Sequence, residues 1–119
     1  MLSKINRLSK DEEIKKIVKS GQTFFLPQFV IKYQNHKESN IKIGFVVSTK
    51  VDKRATARNL LKRRMREAMR ALLPNMKQNY SVLIIAKKQA LSLSFVDIRK
   101  QLEFAFSKIK LYNIVKDDK

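Results

Sequence analysis

Residues 57–72 read ARNLLKRRMREAMRAL, with six arginines and lysines among sixteen residues. At about 100° per residue on an α-helix, with Arg58 as origin, Lys62, Arg66, Asn59, Arg70 and Arg63 fall within an arc of about 140°. Leu61, Met65, Ala68 and Leu72 recur at helical spacing on the opposite side, so the segment predicts a helix with one dry face and one strongly positive face. Lysines and arginines in this pattern neither donate protons at neutral pH nor attack substrates. What they do is bind anions, and the guanidinium fork matches two phosphate oxygens at once. Like charges four residues apart also destabilise the free helix by roughly a few tenths of a kcal/mol per pair, a cost that a polyanion removes.

The charge is concentrated there. Residues 50–70 hold nine basic and two acidic side chains, a net +7, while the other 98 residues share the remaining +10 of the chain's +17. Such an excess points to RNA, DNA or an anionic membrane surface. A helix lying on a membrane would carry bulky aromatics on its apolar face, and this one carries Leu, Met and Ala suited to a protein core. No membrane partner is expected. A phosphate backbone fits best.

Other chemistry is poorly represented. A nuclease acting through its own side chains needs clustered carboxylates for metal ions or a paired acid and base. Asp11, Glu12 and Glu13 form a compact acidic group, but they sit where the first turn of a helix favours negative charge. His36 is the sole histidine, in the polar stretch NHKESN, and reads as an exposed loop residue. Two glycines cannot supply a phosphate-cradling loop. No catalytic residue and no protein-held metal are expected. The absence of cysteine excludes disulfides and thiolate sites and fits a reducing compartment. No apolar run approaches the ~20 residues of a membrane span or the length of a signal peptide, so a cytoplasmic protein is expected.

The elements that must position the basic helix follow from periodicity. Ser9 and Glu12 have capping-box spacing, and Ile14, Ile17 and Val18 share a face before Gly21, which predicts a short first helix. Residues 24–33, FFLPQFVIKY, read as a strand in which Phe29, Ile31 and Tyr33 alternate against Val30 and Lys32. Residues 41–48 alternate again, and the polar turn between predicts a hairpin. The basic helix runs over 54–73 and stops at Pro74. YSVLIIAKK, 80–88, reads as a strand buried on both faces. Ser94 with Asp97 caps a last helix carrying Ile98, Leu102, Ala105, Phe106 and Ile109.

The predicted fold is α+β, one domain over 1–119 with its core in about 5–112 and a frayed tail at 113–119. Its order is α-β-β-α-β-α, with a mostly antiparallel sheet packed on helices. The β-helix-β segment 41–88 could run parallel, for which a right-handed crossover is the general rule. A helix-turn-helix DNA repressor would need two adjacent short helices where strands are read here, so DNA is not the expected partner.

KVDKRATARNLLKRRMRE, 50–67, resembles the signature of the bacterial ribonuclease P protein subunit, in which Arg-Asn-x-x-Lys-Arg opens a basic helix. The likeness is collinear over about 5–112, through NRLSKDEEIKKIVKSG, QFVIKY, KIGFVVSTK and YSVLIIAKK. Three positions depart from the family pattern: Leu60 replaces its usual arginine after Arg-Asn, and Ile14 and Val18 stand where phenylalanines are common on the first helix.

The resemblance implies a ribosomal-protein-like fold with a left-handed β-α-β crossover. It also implies an endonucleolytic ribonucleoprotein in which a catalytic RNA with bound Mg2+ removes the 5′ leader of precursor tRNA and the protein assists. Lys50, Lys53, Arg54, Arg58, Asn59, Lys62, Arg63 and Arg66 would contact the catalytic RNA. A cleft between the first helix and the sheet, with Ile14, Val18, Phe29 and Tyr33, would hold the leader. Single strands bind by stacking on aromatics beside positive charge, and Phe24, Phe25, Phe29 and Tyr33 are the candidates, Tyr33 being the one expected outward. The rival reading is a structural RNA-binding protein such as a ribosomal protein.

Overall fold

Pro27 divides the first apolar run into two strands. The computed structural model, which describes Leu8, residues 11–36 and residues 40–112, begins with helix α1 (Asp11–Ser20), strand β1 (Gln22–Phe25) and strand β2 (Phe29–Asn35). Proline has no N–H for a ladder and marks a strand end. Leu26 N donates to Phe29 O at 2.8 Å, closing a tight turn that folds β1 back on β2 with Phe24 opposite Ile31 and Phe25 opposite Val30. The single strand expected over 24–33 is therefore a hairpin, and the order becomes α-β-β-β-α-β-α.

The remaining elements are β3 (Lys42–Val46), α2 (Ala55–Leu72), β4 (Tyr80–Ala86) and α3 (Phe95–Lys108), with single 3₁₀ turns at Leu73–Asn75 and Lys88–Ser92. The sheet order is β1-β2-β4-β3. The hairpin expected between the strands before and after the polar turn is thus not formed, because β4 lies between them. It pairs antiparallel with β2 and parallel with β3. Its sequence explains the choice: a strand apolar on both sides belongs at the centre, covered on both faces. The parallel pairing expected for the β-helix-β segment is present.

The two faces carry different helices. Phe24 of β1, Phe29, Ile31 and Tyr33 of β2, Ile43 and Phe45 of β3, and Val82, Ile84 and Ala86 of β4 all belong to the main core with α2 and α3. On the opposite face Leu83 packs with Ile17 of α1 and Leu8, flanked by Ile14, Val46 and Ile85. Glu13 of α1 accepts from Lys42 Nζ at 2.8 Å, and Gln34 Nε2 donates to Ser20 Oγ at 3.1 Å, fixing α1 over one end of the strands.

Two glycines permit close approach. A Cβ on Gly21 would lie 2.6 Å from Ile17 O and 3.0 Å from Tyr33 O, so the helix can turn into β1 only with glycine there. At Gly44 a Cβ would lie 3.1 Å from Leu8 O, where the Leu8 amide donates to Ile43 O at 2.9 Å. Ser94 Oγ accepts from Asp97 N at 3.2 Å, the expected cap of α3, an interaction that contributes about 1 kcal/mol in typical helices. That helix ends with Lys110 at φ 64, the left-handed residue that lets Leu111 N reach Phe106 O at 2.8 Å. The cap predicted at Ser9 and the tail 113–119 lie outside the described residues.

Candidate nucleic-acid interface

Helix α2 buries Leu61, Met65, Ala68, Met69 and Leu72. Met69 widens the buried sector beyond the stripe read from sequence, toward Arg58 and Lys62, so the outward centre of the helix shifts to Asn59, Arg63 and Arg70. Asn59 and Arg63 are exposed, whereas Arg58, Lys62 and Arg66 are half-buried along its border. Lys50, Lys53 and Arg54 are exposed in the loop before the helix. The eight residues expected to bind RNA thus occupy one loop and the helix that follows it. The side chains of Lys50, Lys53, Asn59, Lys62, Arg63 and Arg66 make no hydrogen bond or ion pair with a described residue.

Arg54 and Arg58 are engaged with their own loop. Arg54 donates through Nε and Nη2 to the two Asp52 carboxylate oxygens at 3.1 and 3.0 Å, and its amide donates to Asp52 Oδ1 at 2.8 Å. Arg58 Nη1 donates to the carbonyls of Asp52 and Lys53 at 3.0 and 2.8 Å, pinning the loop to the helix. No acidic residue stands in the first turn of α2 and no side chain caps it, so its positive end is open to an anion.

The Arg54 hydrogen bonds hold the Asp52 carboxyl near 2, down from 3.8. A depressed folded value contributes stability that is complete above the ordinary carboxylate range and is lost as pH falls through about 2. The Asp52 side-chain carbon resonance is therefore expected to titrate with a midpoint near 2, and in an Arg54→Ala variant nearer 3.8. An unshifted midpoint in the intact chain would mean that the pair does not persist in solution.

The second predicted surface changes composition. Phe29 is 0% exposed and belongs to the core on the α2 and α3 face, so it cannot line a cleft beside α1. Tyr33 shares its parity and packs half-buried against the same core, against the expectation that it points outward into that cleft. The α1 face receives the opposite parity. A row of Phe25, Val30, Ile85 and Val46 crosses all four strands there, beside a second row of Thr23, Lys32, Leu83 and Gly44. Ile14 of α1 packs toward this face, and Val18 stands 51% exposed. Phe25 is 70% exposed, and Lys32 Nζ donates to Thr23 Oγ1 at 3.0 Å. An open aromatic, an apolar row and an ammonium group thus adjoin α1. Phe25 was among the stacking candidates but Tyr33 was favoured over it, and Val30 and Lys32 were missed, because their orientation depends on the turn at Pro27.

His36 also departs from expectation. It is half-buried rather than exposed, its amide donates to Asn79 O at 2.8 Å, and both ring nitrogens are enclosed without a hydrogen-bond partner among the described residues. Among the described residues no three His, Asp or Glu side chains are grouped to hold a metal ion, and no helix is long and apolar enough to cross a membrane.

A mixed four-stranded sheet with α1 on one face, and an arginine-rich helix opposite with its positive face outward, define a small α+β domain with a concentrated anion-binding surface. Residues 2–110 match the family model described as Ribonuclease P, and the chain belongs to that family. The ribonuclease P protein component of Bacillus pumilus is 34% identical over 112 residues, covering 93% of each chain. That of Exiguobacterium is 32% identical over 111 residues, covering 93% of this chain and 96% of the relative. Among solved structures, the Staphylococcus aureus RNase P protein superposes with a TM-score of 0.82 at 27% identity, covering 91% of this chain and 98% of that one. The Thermotoga maritima RNase P protein gives 0.73 at 26% identity, covering 81% and 90%.

Proposed function

We propose that the chain is the RNA-binding protein subunit of ribonuclease P, acting in the cytoplasm to assist the endonucleolytic removal of the 5′ leader from precursor tRNA. The observation that carries this reading is the α2 surface: a row of unengaged cations on a helix whose positive end is uncapped, in a chain of the ribonuclease P family. In this reading Lys50, Lys53, Asn59, Lys62, Arg63 and Arg66 contact phosphates of the catalytic RNA, while Arg58 and the Arg54–Asp52 pair hold the loop in the shape that presents them. The hydrolytic chemistry and its Mg2+ belong to the RNA. The protein lowers the magnesium requirement by placing fixed cations between phosphates that otherwise repel each other.

The leader lies on the α1 face. Phe25 offers a ring for stacking, Val30 and Ile85 a dry floor, Lys32 a cation, and Val18 with Ile14 the opposite wall. Stacking on an aromatic beside positive charge tolerates any base, which suits leaders of varied sequence.

Salt dependence tests the phosphate contacts. Neutralising about six phosphates predicts that log affinity for a ribonuclease P RNA falls against log salt with a slope of roughly −4 to −5. A slope near −1 would contradict a phosphate-binding helix.

A further inference from the structure

The border between α2 and α3 holds a site of different chemistry. Phe95, the first residue of α3, is 38% exposed although the helix has a complete buried face in Ile98, Leu102, Ala105 and Phe106. Its ring lines a shallow cleft of about 210 Å³ with Arg63, Arg64 and Glu67 of α2. Arg64 Nη1 donates to Leu93 O at 3.2 Å, tying the segment before α3 to α2 and so placing the ring beside the basic face. Glu67 meets Arg70 only at 3.7 Å, so its carboxylate keeps hydrogen-bonding capacity.

We propose that Phe95 stacks an unpaired nucleobase of the RNA lying along α2, with Arg63 on the adjoining phosphate and Glu67 accepting from an exocyclic amino group of the base. This rests on the reading of α2 as an RNA-binding helix. The cleft is smaller than the ~300–1,000 Å³ of small-molecule sites and takes one planar group. The cleft opens onto the basic face of α2, whose concentrated positive charge favours a nucleic-acid partner over an apolar protein patch. A phosphate alone would find no use for the ring. A carboxylate in so basic a surface repels phosphate but suits a base that carries an amino group, as acidic side chains do when they accept from cytosine N4. Leu60, 44% exposed one turn before Arg63 and Arg64, lies on the same side of α2.

The test is binding of Phe95→Leu, Phe95→Tyr and the unaltered chain to a bacterial ribonuclease P RNA across a salt series, with melting temperatures measured in parallel. Phe95→Leu is expected to lose about 5- to 150-fold in affinity, the range for one base–aromatic stack, while Phe95→Tyr binds as the unaltered chain does. The salt slope should stay constant in both, since no phosphate contact is removed. Three results would overturn the proposal while leaving the function intact: full affinity in Phe95→Leu, equal losses in Leu and Tyr, or a loss accompanied by a shallower slope. Failure of the unaltered chain to bind would instead refute the RNA-binding reading, and this site with it.

Discussion

Replacing Lys62, Arg63 and Arg66 together with alanine is expected to weaken binding to a ribonuclease P RNA about a thousandfold. This corresponds to three charged hydrogen bonds near the lower end of the ~1.5–3 kcal/mol that each contributes. The salt slope should become shallower by roughly 2 to 3, because each lost phosphate contact removes about 0.7 to 0.9. Folding should be preserved. None of the three side chains bonds to another described residue, and removing like charges relieves repulsion along the helix. Melting temperature and affinity therefore separate: the first holds or rises while the second falls. Arg58→Ala should behave differently, since its guanidinium holds the carbonyls of Asp52 and Lys53, and loss of affinity should accompany a looser loop. Amide exchange across residues 50–54 distinguishes the two. Equal affinity of the triple variant and the intact chain would remove the α2 face from the RNA interface.

Phe29→Ala and Phe25→Ala are expected to give opposite results although both residues are phenylalanines of one hairpin. Phe29 is completely enclosed, and truncation of such a ring costs about 3–5 kcal/mol, a large part of the ~5–15 kcal/mol that stabilises a typical domain. At temperatures where the variant remains folded, its affinity for a 5′-extended precursor tRNA should match that of the intact complex. Phe25 projects from the edge strand into solvent, so its loss should scarcely change melting. Leader-dependent affinity should fall by the ~1–3 kcal/mol of a lost stack, while binding of tRNA without a leader is unaffected. The difference between extended and mature tRNA is the quantity to measure. If Phe25→Ala leaves that difference unchanged, the leader does not stack on this face.

This contrast shows how far the sequence was legible. The basic helix, its stop before Pro74, the cap of α3 by Ser94 and the doubly buried strand could all be read, because each rests on local chemistry: helical spacing, a missing amide, a hydroxyl near a helix end, an apolar run. The α+β class followed from these. Sheet order did not, because strand neighbours are chosen by burial across the whole domain. A polar turn between two strands is compatible with a hairpin but does not require one, and β4 outcompeted β3 for the position next to β2.

The cleft was misread for a related reason. Strand parity assigns Phe29, Ile31 and Tyr33 to one face correctly, yet does not say which face α1 will cover. The answer came from long-range contacts, Leu83 with Ile17 and Glu13 with Lys42, that no local pattern contains. Pro27 was the available signal for the missed residues. A strand end there reverses the chain, sets Phe25 opposite Val30, and leaves that ring on the edge of the sheet. On α2 the sequence placed the cations within one arc, but not the distinction between Arg58, committed to its own loop, and Arg63, left open to a partner.

The most direct measurement is cleavage of a 5′-extended precursor tRNA by a bacterial ribonuclease P RNA at magnesium concentrations too low for the RNA alone, with and without this protein. Restored cleavage at the mature 5′ end, with no cutting by the protein in the absence of RNA, is the predicted result. Tight RNA binding without any stimulation, using the cognate RNA, would contradict the subunit role and leave a structural RNA-binding protein.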